Sequence, residues 1–228
     1  MTQIRTNTES RQRQIVEAAR KIIATRGMEA LTVREIAREV GISDGDIYRH
    51  FASKKDILML LIEDIEKTLL EAVERAATEK AGTLESLGNV LKAHLSYVEQ
   101  RRGISLIVIS ETVRLADKNL RRRMFEVINR YLNAIEGLLA RGVKSGQIRQ
   151  DIDPGTAALT FFALVHATVT LWALSNSSYS LAKKNKLLWE SYMASLAGRP
   201  PDSKIQENGR NLKNACSNRK NHVAVVEG

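Results

Sequence analysis

The 228-residue chain contains a single cysteine, Cys216, so no disulfide can form within it. This favours a protein of the reducing cytoplasm over a secreted one. Proline occurs only three times, and Phe, Trp and Tyr together make up 5% of the residues. The abundant residues are Ala, Leu, Ile, Arg, Lys and Glu, which lose little side-chain freedom in a helix. The composition therefore favours helices over strands.

The sequence also lacks a clear membrane signal. Its first residues include no apolar segment of the kind found in secretory signals. The longest apolar run, "ALTFFALVHATVTLWAL" over residues 158–174, is slightly short for a membrane span and contains His166 and several threonines. We expect a helix buried on two sides, in a cytoplasmic protein without a membrane partner.

The balance of charge is basic, with a formal net charge of +9. Counted along the chain, residues 1–55 carry +4, residues 56–198 carry +2 and residues 199–228 carry +3. A basic protein often binds an anionic partner, such as nucleic acid or a membrane surface. Charge alone is equally compatible with a basic protein that binds neither.

Apolar residues recur with the period of a helix throughout the sequence. No stretch alternates between apolar and polar residues over a length that would predict a strand. We expect an all-α fold of about nine helices. The predicted helices cover residues 9–26, 32–40, 43–51, 53–77, 84–101, 104–115, 119–142, 154–174 and 181–197. The predicted domains are a DNA-binding domain over 1–52, an effector-binding and dimerisation domain over 53–198, and a disordered tail over 199–228. Residues 1–8 are also predicted to be disordered.

Three helix starts follow one another closely. "TVRE", "SDGD" and "SKKD" begin at Thr32, Ser43 and Ser53, and each places an acidic residue three positions after a hydroxyl residue. This is the capping-box pattern, in which the acidic side chain also reaches back to the first residue. With Gly41 as a break, residues 32–51 have the organisation of a helix-turn-helix motif.

The second helix of this motif has one apolar and one polar side. Ile47 and Phe51 are four residues apart and face inwards. On a helical wheel, the side opposite these two residues is polar and available to a partner. It consists of Asp44, Gly45, Tyr48 and Arg49, with His50 at its edge. The alternative is that Tyr48 and His50 simply pack against the fourth helix.

Each polar position has a plausible role at DNA. Arg49 can bond a guanine edge in two places or a phosphate, and Gly45 allows close approach. Tyr48, His50, Lys54 and the helix starts at Thr32 and Ser53 can donate to phosphates. The full set of candidate DNA-binding residues is Thr32, Arg34, Ser43, Asp44, Gly45, Tyr48, Arg49, His50 and Lys54.

The segment "EAARKIIATRGMEALTVREIAREVGISDGDIYRHFASKKDIL" resembles the N-terminal domain of the TetR family of bacterial transcriptional regulators, over about residues 12–61. The matching skeleton consists of Gly27, Thr32, Ile36, Ala37, Gly41, Ile42, Ser43, Gly45, Ile47, Tyr48, His50, Phe51, Lys54 and Leu58. The resemblance implies an all-helical homodimer whose third helices enter the major groove of a palindromic operator. It also implies contacts to phosphates or bases from Thr32, Ser43, Tyr48, His50 and Lys54. Asp44 departs from many members, which carry a basic or small polar residue there.

The C-terminal half is less specific. "ISETVRLADKNLRRRMFEVINRYLNAIEGLLARGVKSGQIRQDIDP" followed by "ATVTLWAL" resembles regulators of fatty-acid degradation that sense long-chain acyl-CoA. This resemblance implies a small hydrophobic effector and no cofactor, with dimerisation through helices near residues 154–174 and 181–197. The arginines at 121–123 suit a phosphorylated head group or form a solvated face. Candidate pocket residues, each of which can also be plain core, are His94, Tyr97, Tyr131, Phe162, His166 and Trp172.

An enzyme is not expected. The four histidines, at 50, 94, 166 and 222, are scattered, and no common hydrolase, P-loop or metal-binding spacing occurs. We expect a ligand-responsive transcriptional repressor that an acyl-CoA or another hydrophobic effector releases from its operator. The alternatives are a regulator that senses aromatic or cationic compounds, and an architectural protein that binds nucleic acid by charge alone.

Overall fold

The computed structural model describes residues 2–49, 51–76 and 82–197. Within these ranges the fold is all-α, as predicted, with nine α-helices and no strand. The helices are α1 Thr2–Arg26, α2 Val33–Val40, α3 Asp44–Tyr48, α4 Lys54–Ala76, α5 Thr83–Gln100, α6 Ile104–Leu115, α7 Lys118–Lys144, α8 Pro154–Leu174 and α9 Leu181–Leu196. His50 and the proposed tail after residue 198 lie outside the described residues.

Most helix positions were predicted, and two bounds differ by more than two residues. The first helix begins at Thr2, so the prediction of disorder for residues 1–8 is wrong over 2–8. No glycine or proline interrupts residues 2–26, and the chain therefore contains no stop signal there. Helix α3 ends at Tyr48, and a short 3₁₀ turn at Met28–Ala30 was not predicted.

Each of the three predicted capping boxes is formed in part. The hydroxyl of Thr32 accepts from Glu35 N at 3.1 Å, and that of Ser43 accepts from Asp46 N at 3.1 Å. Ser53 N donates to the Asp56 carboxylate at 2.9 Å. Glu35 was predicted to reach back to Thr32, but its carboxylate instead accepts from Arg26 at 2.6 Å, because the end of α1 lies beside it.

Helices α1, α2 and α3 share a small core that fixes the angle of the motif. Ile22, Ile36, Ala37 and Ile47 are fully buried. Gly41 ends α2 with φ +75°, a left-handed conformation that glycine adopts at little cost. The turn therefore sends the chain directly from α2 into α3.

The remaining helices form the larger part of the protein. Helix α4 packs along α7, α7 along α8, and α5 along α9. Helix α8 is long and apolar enough to cross a membrane by length and composition, with a mean hydropathy of 1.8. One face of it, including Phe161, Val165 and Val169, is buried in the core. One buried side is thus present in this chain, and burial of the second side stays a prediction.

Candidate DNA-contacting surface and effector-binding core

Helix α3 and the start of α2 present a polar surface. Tyr48 is 52% exposed, and the side chains of Arg34 and Arg49 are 72% and 78% exposed. Ile47, one residue before Tyr48, is fully buried and holds the helix against α1 and α2. The aromatic and cationic groups are therefore free to contact a partner while the backbone is fixed.

The two aspartates of α3 each lie near an arginine. Asp44 Oδ2 is 3.6 Å from Arg34 Nε, and Asp46 Oδ1 is 3.5 Å from Arg49 Nη1. The Ser43 hydroxyl also donates to Asp46 at 2.6 Å, and this hydrogen bond lowers the pKa of the Asp46 carboxyl. Asp46 thus supports the cap, and the two aspartates leave the surface with mixed charge.

Gly45 lies at the centre of this surface. A Cβ at this position would meet only Ser43 Oγ, at 3.8 Å, which is an ordinary contact. The packing of the protein itself therefore does not require glycine at position 45. The missing side chain leaves room at this exposed position for the close approach of another surface.

Lys54 lies differently from the other candidates. Its ammonium donates to the carbonyl oxygen of Met28 at 2.9 Å and lies 3.0 Å from Glu111 Oε1. Two of its three N–H donors are thus directed into the protein, and its predicted phosphate contact would have to compete with them. Thr32 is exposed beside the start of α2, where its hydroxyl forms the cap.

Four of the six predicted pocket residues meet between α5, α7 and α8. His94 Nδ1 is 2.9 Å from the hydroxyl oxygen of Tyr131. The ring of Phe162 lies 6.4 Å from that of Tyr131 and 4.4 Å from that of His166. We call His94, Tyr131, Phe162 and His166 the aromatic cluster.

The aromatic cluster carries no net charge at neutral pH. Burial lowers the pKa of His94 to about 3 and also lowers that of His166. Burial raises the pKa of the Tyr131 hydroxyl well above its usual range. Neutral, ring-lined surroundings of this kind suit an apolar group with a few polar contacts.

Tyr97 and Trp172 lie away from the aromatic cluster contacts. The guanidinium carbon of Arg101 is 5.1 Å from the ring centre of Tyr97, and burial raises the pKa of Tyr97 to about 12. Trp172 is buried and donates from Nε1 to the carbonyl oxygen of Tyr179 at 2.8 Å. Trp172 therefore fastens the end of α8 to the segment that leads into α9.

The three consecutive arginines of α7 do not act together. Arg123 pairs with the buried carboxylate of Glu66, which also accepts from Arg130 at 2.9 Å. Arg121 donates to the carbonyl oxygen of Val113 at 2.8 Å. Arg122 remains exposed, 4.0 Å from Glu126. Two of the three are thus used to hold helices together.

Sequence reasoning missed a set of ion pairs between α4 and α6–α7. Glu111, only 5% exposed, contacts Lys54 and accepts from Arg114 at 2.6 Å. These contacts, led by the hydrogen bond from Arg114, lower the pKa of Glu111 to about 2. Lys55 also donates to Asp117 at 2.8 Å. The signal that the sequence offered for this part of the protein was Asp117, an aspartate that caps the start of α7.

A fixed helix-turn-helix that exposes tyrosine and arginine on its second helix, attached to a larger helical body, defines a DNA-binding transcription regulator. Residues 15–60 match the family model described as bacterial regulatory proteins, tetR family. Residues 63–194 match the model described as YsiA-like protein, C-terminal region. The chain belongs to the TetR family of transcriptional regulators, as its sequence indicated.

Three comparisons describe its similarity within the family. The fatty acid metabolism regulator protein of Bacillus subtilis is 32% identical over 176 residues, which cover 77% of this chain and 90% of that protein. The structure of the regulator FadR from Bacillus subtilis in complex with stearoyl-CoA superposes with a TM-score of 0.72 at 30% identity, covering 81% of this chain and 98% of that one. The nucleoid occlusion factor SlmA of Vibrio atlanticus is 26% identical over 189 residues, covering 81% and 94%.

Proposed function

We propose that the protein is a cytoplasmic transcriptional repressor that binds a palindromic operator as a homodimer and is released by a long-chain acyl-CoA. The observation that carries the DNA-binding part is the exposure of Tyr48 and Arg49 on a helix anchored by the buried Ile47. Arg49 would bond a guanine edge or a phosphate, and Tyr48 would donate to a phosphate. The capped start of α2 at Thr32 and the gap at Gly45 would let the DNA backbone approach closely.

Helix α8 supports a homodimer. Exposed apolar residues recur every three or four positions along the face opposite its buried one: Leu159, Ala163, Ala167, Leu171 and Leu174. Leu171 and Leu174 are 64% and 79% exposed, and Leu187 of α9 is 62% exposed. A continuous apolar stripe of this length on a soluble helix is typical of a protein interface. A second copy of the same stripe would bury it symmetrically.

The aromatic cluster supports a hydrophobic effector. Its rings lie in the part of the chain that is similar to the stearoyl-CoA complex of the Bacillus subtilis regulator. Because His94 and His166 are neutral at pH 7, the cluster offers no charge to a cationic drug. The buried carboxylate Glu66 is already paired with Arg123 and Arg130. An acyl chain that separates the rings is therefore favoured over a cationic compound.

The ion pairs at the start of α4 suggest how the effector acts. Lys54 and Lys55 connect α4 to Glu111 of α6 and to Asp117 before α7. Met28, whose carbonyl oxygen Lys54 also contacts, lies in the 3₁₀ turn just before the helix-turn-helix motif. A shift of α6 or α7 around the bound chain would thus reorient α4 and the motif. The effector must bind the non-DNA-binding arrangement more tightly for this to work.

The DNA-binding part is tested by selecting duplexes from a random library with the wild-type protein. Affinity for the selected duplex and for a random duplex is then compared with that of Arg49→Ala, with the exposed Arg122→Ala of α7 as a control. A specific regulator loses discrimination in Arg49→Ala and keeps it in Arg122→Ala. Failure to enrich any sequence, or an equal loss of affinity for both duplexes, would support an architectural protein instead.

A further inference from the structure

A basic cleft lies between α1 and the junction of α5 with α6. It encloses about 470 Å³ and is bordered by four cationic side chains, Arg20, Lys21, Arg101 and Arg102, and by one carboxylate, Glu17. None of these residues contributes to the aromatic cluster or to the exposed surface of α3. Two further carboxylates, Asp64 and Glu39, pair with these cations, which leaves an excess of one positive charge that favours an anionic occupant.

Arg101 is held in place by an ion pair and a ring contact. Its Nη1 is 3.6 Å from Asp64 Oδ2, and its guanidinium carbon is 5.1 Å from the ring centre of Tyr97. This buried Nη1 makes no hydrogen bond to any residue that the structure describes. Leaving a charged N–H group without an acceptor is costly, so the site favours a ligand that supplies one.

The other cations of the cleft differ in how far they are neutralised. Arg20 pairs with Asp64, the same carboxylate that lies near Arg101, and with Glu17 at 3.3 Å. Lys21 pairs with Glu39. Arg102 is exposed and has no ion pair among the residues in the described ranges. Arg101 shares its carboxylate partner with Arg20, and Arg102 has no such partner in the part of the chain that the structure describes, so these two groups have the most capacity for an added anion.

Helix α5 connects this cleft to the aromatic cluster. His94, Tyr97 and Arg101 follow at intervals of three and four residues, so they share one face of the helix. At 1.5 Å of rise per residue, His94 and Arg101 are separated by about 10 Å along the axis. A molecule with an apolar chain among the rings and an anionic head group can thus use a single helix face.

We propose that the cleft binds phosphate groups of a phosphorylated ligand, with Arg101 and Arg102 as the contacting residues. Arginine suits this role because its planar donors match the oxygens of a phosphate. This proposal rests on the proposed function, because it takes the head group of acyl-CoA as the source of the phosphates. A free phosphorylated metabolite would present the same chemistry. The site differs from the arginines at 121–123, which the sequence suggested for this role.

Occupation of the cleft also has a consequence for regulation. The phosphate would compete with Asp64 of α4 for Arg20 of α1 and Arg101 of α5. Because α1 supports the helix-turn-helix motif, a bound head group would alter the contact between that motif and α4. The acyl chain and the head group of one ligand would then act on the helix-turn-helix motif from two sides.

Calorimetric titration of the full chain tests the site with three probes, namely stearoyl-CoA, stearate and CoA. We expect Arg101→Gln and Arg102→Gln each to weaken stearoyl-CoA binding about tenfold or more, without effect on stearate. Arg122→Gln, from the α7 cluster, is the matched control and should bind as the wild type does. Arg102 is exposed, so its variant retains the fold even if Arg101→Gln does not.

The outcomes separate this proposal from the proposed function. One adverse result is stearoyl-CoA binding that is unchanged in Arg101→Gln and Arg102→Gln, and another is binding that is reduced only in Arg122→Gln. Either result contradicts a phosphate site in the cleft and leaves acyl-CoA as the proposed effector. CoA binding that depends on Arg101 and Arg102, with no gain from the acyl chain, supports the cleft and contradicts acyl-CoA as effector. If neither CoA nor stearoyl-CoA binds, both proposals fail.

Discussion

Lys54 Nζ lies 3.0 Å from Glu111 Oε1, and this contact joins the first residue of α4 to the middle of α6. The same ammonium donates to the carbonyl oxygen of Met28. One side chain thus links the turn before the helix-turn-helix motif with α4 and α6.

We expect Glu111→Gln to lower the free energy of unfolding by about 1–2 kcal/mol, because Lys54 and Arg114 lose a charged acceptor. The effect of stearoyl-CoA on DNA affinity should shrink at the same time. Chemical denaturation and DNA titrations with and without stearoyl-CoA measure the two effects. Glu190→Gln, which removes a surface pair with Lys186 at 3.9 Å, is the control. An unchanged ligand effect in Glu111→Gln would separate this pair from the switch.

His94 predicts a pH dependence of stability. Its pKa is about 3 in the folded protein, against an ordinary value of 6.5, because the ring is buried. The unfolded chain therefore binds a proton that the folded chain does not, and stability falls as the pH falls below 6.5. For one proton the slope is about 1.4 kcal/mol per pH unit. His94→Gln should make the unfolding free energy less dependent on pH between 7 and 5, and an identical slope in both proteins would contradict this.

Asp44 was the least explained residue of the predicted DNA surface. Its pair with Arg34 is exposed on both sides, so Asp44→Ala should change stability by less than about 1 kcal/mol. Loss of the negative charge should strengthen binding to random duplexes about two- to fivefold and reduce discrimination. Titrations of selected and random duplexes at one salt concentration measure this, with Asp151→Ala as a remote control. Selective loss at one cytosine position would instead show direct base contact.

The dimer prediction is tested on α8. Leu171→Asp should give a monomer, because it places a charge in the apolar stripe, and operator binding should weaken with it. The side chain is 64% exposed in one chain, so the fold itself should be retained. Sedimentation analysis measures the mass, and circular dichroism checks the helix content. Val113→Asp, at a 61% exposed position of α6, should remain dimeric. A dimeric Leu171→Asp would place the interface elsewhere.

Local signals in the sequence were sufficient for most of the fold. The predicted bounds of α6 and α8 match the structure. Gly103 directly precedes α6, and Asp153 caps α8, which begins at Pro154. Ser43 and Asp46 form the predicted cap for the same reason, since both partners lie within one turn. The start of α1 was missed because no residue marks it.

Contacts between distant helices could not be derived in this way. Glu66 binds Arg123 and Arg130, and Lys54 meets Glu111, over separations of 57 or more residues. Which arginine of a run turns inwards depends on helix packing, which periodicity alone does not define. The proposed role of Arg101 likewise depends on residues of α1 bordering the same cleft as the end of α5. The contacts of His50 stay a prediction, as do the domain boundary at 52 and the roles of the other site residues.

In the proposed mechanism, acyl-CoA binding weakens operator binding. The most direct measurement is the affinity of the wild-type protein for its selected duplex, with and without saturating stearoyl-CoA, at one salt concentration. The account predicts that stearoyl-CoA weakens DNA binding by about tenfold or more. Equal affinities, in a sample where calorimetry shows bound stearoyl-CoA, would contradict it.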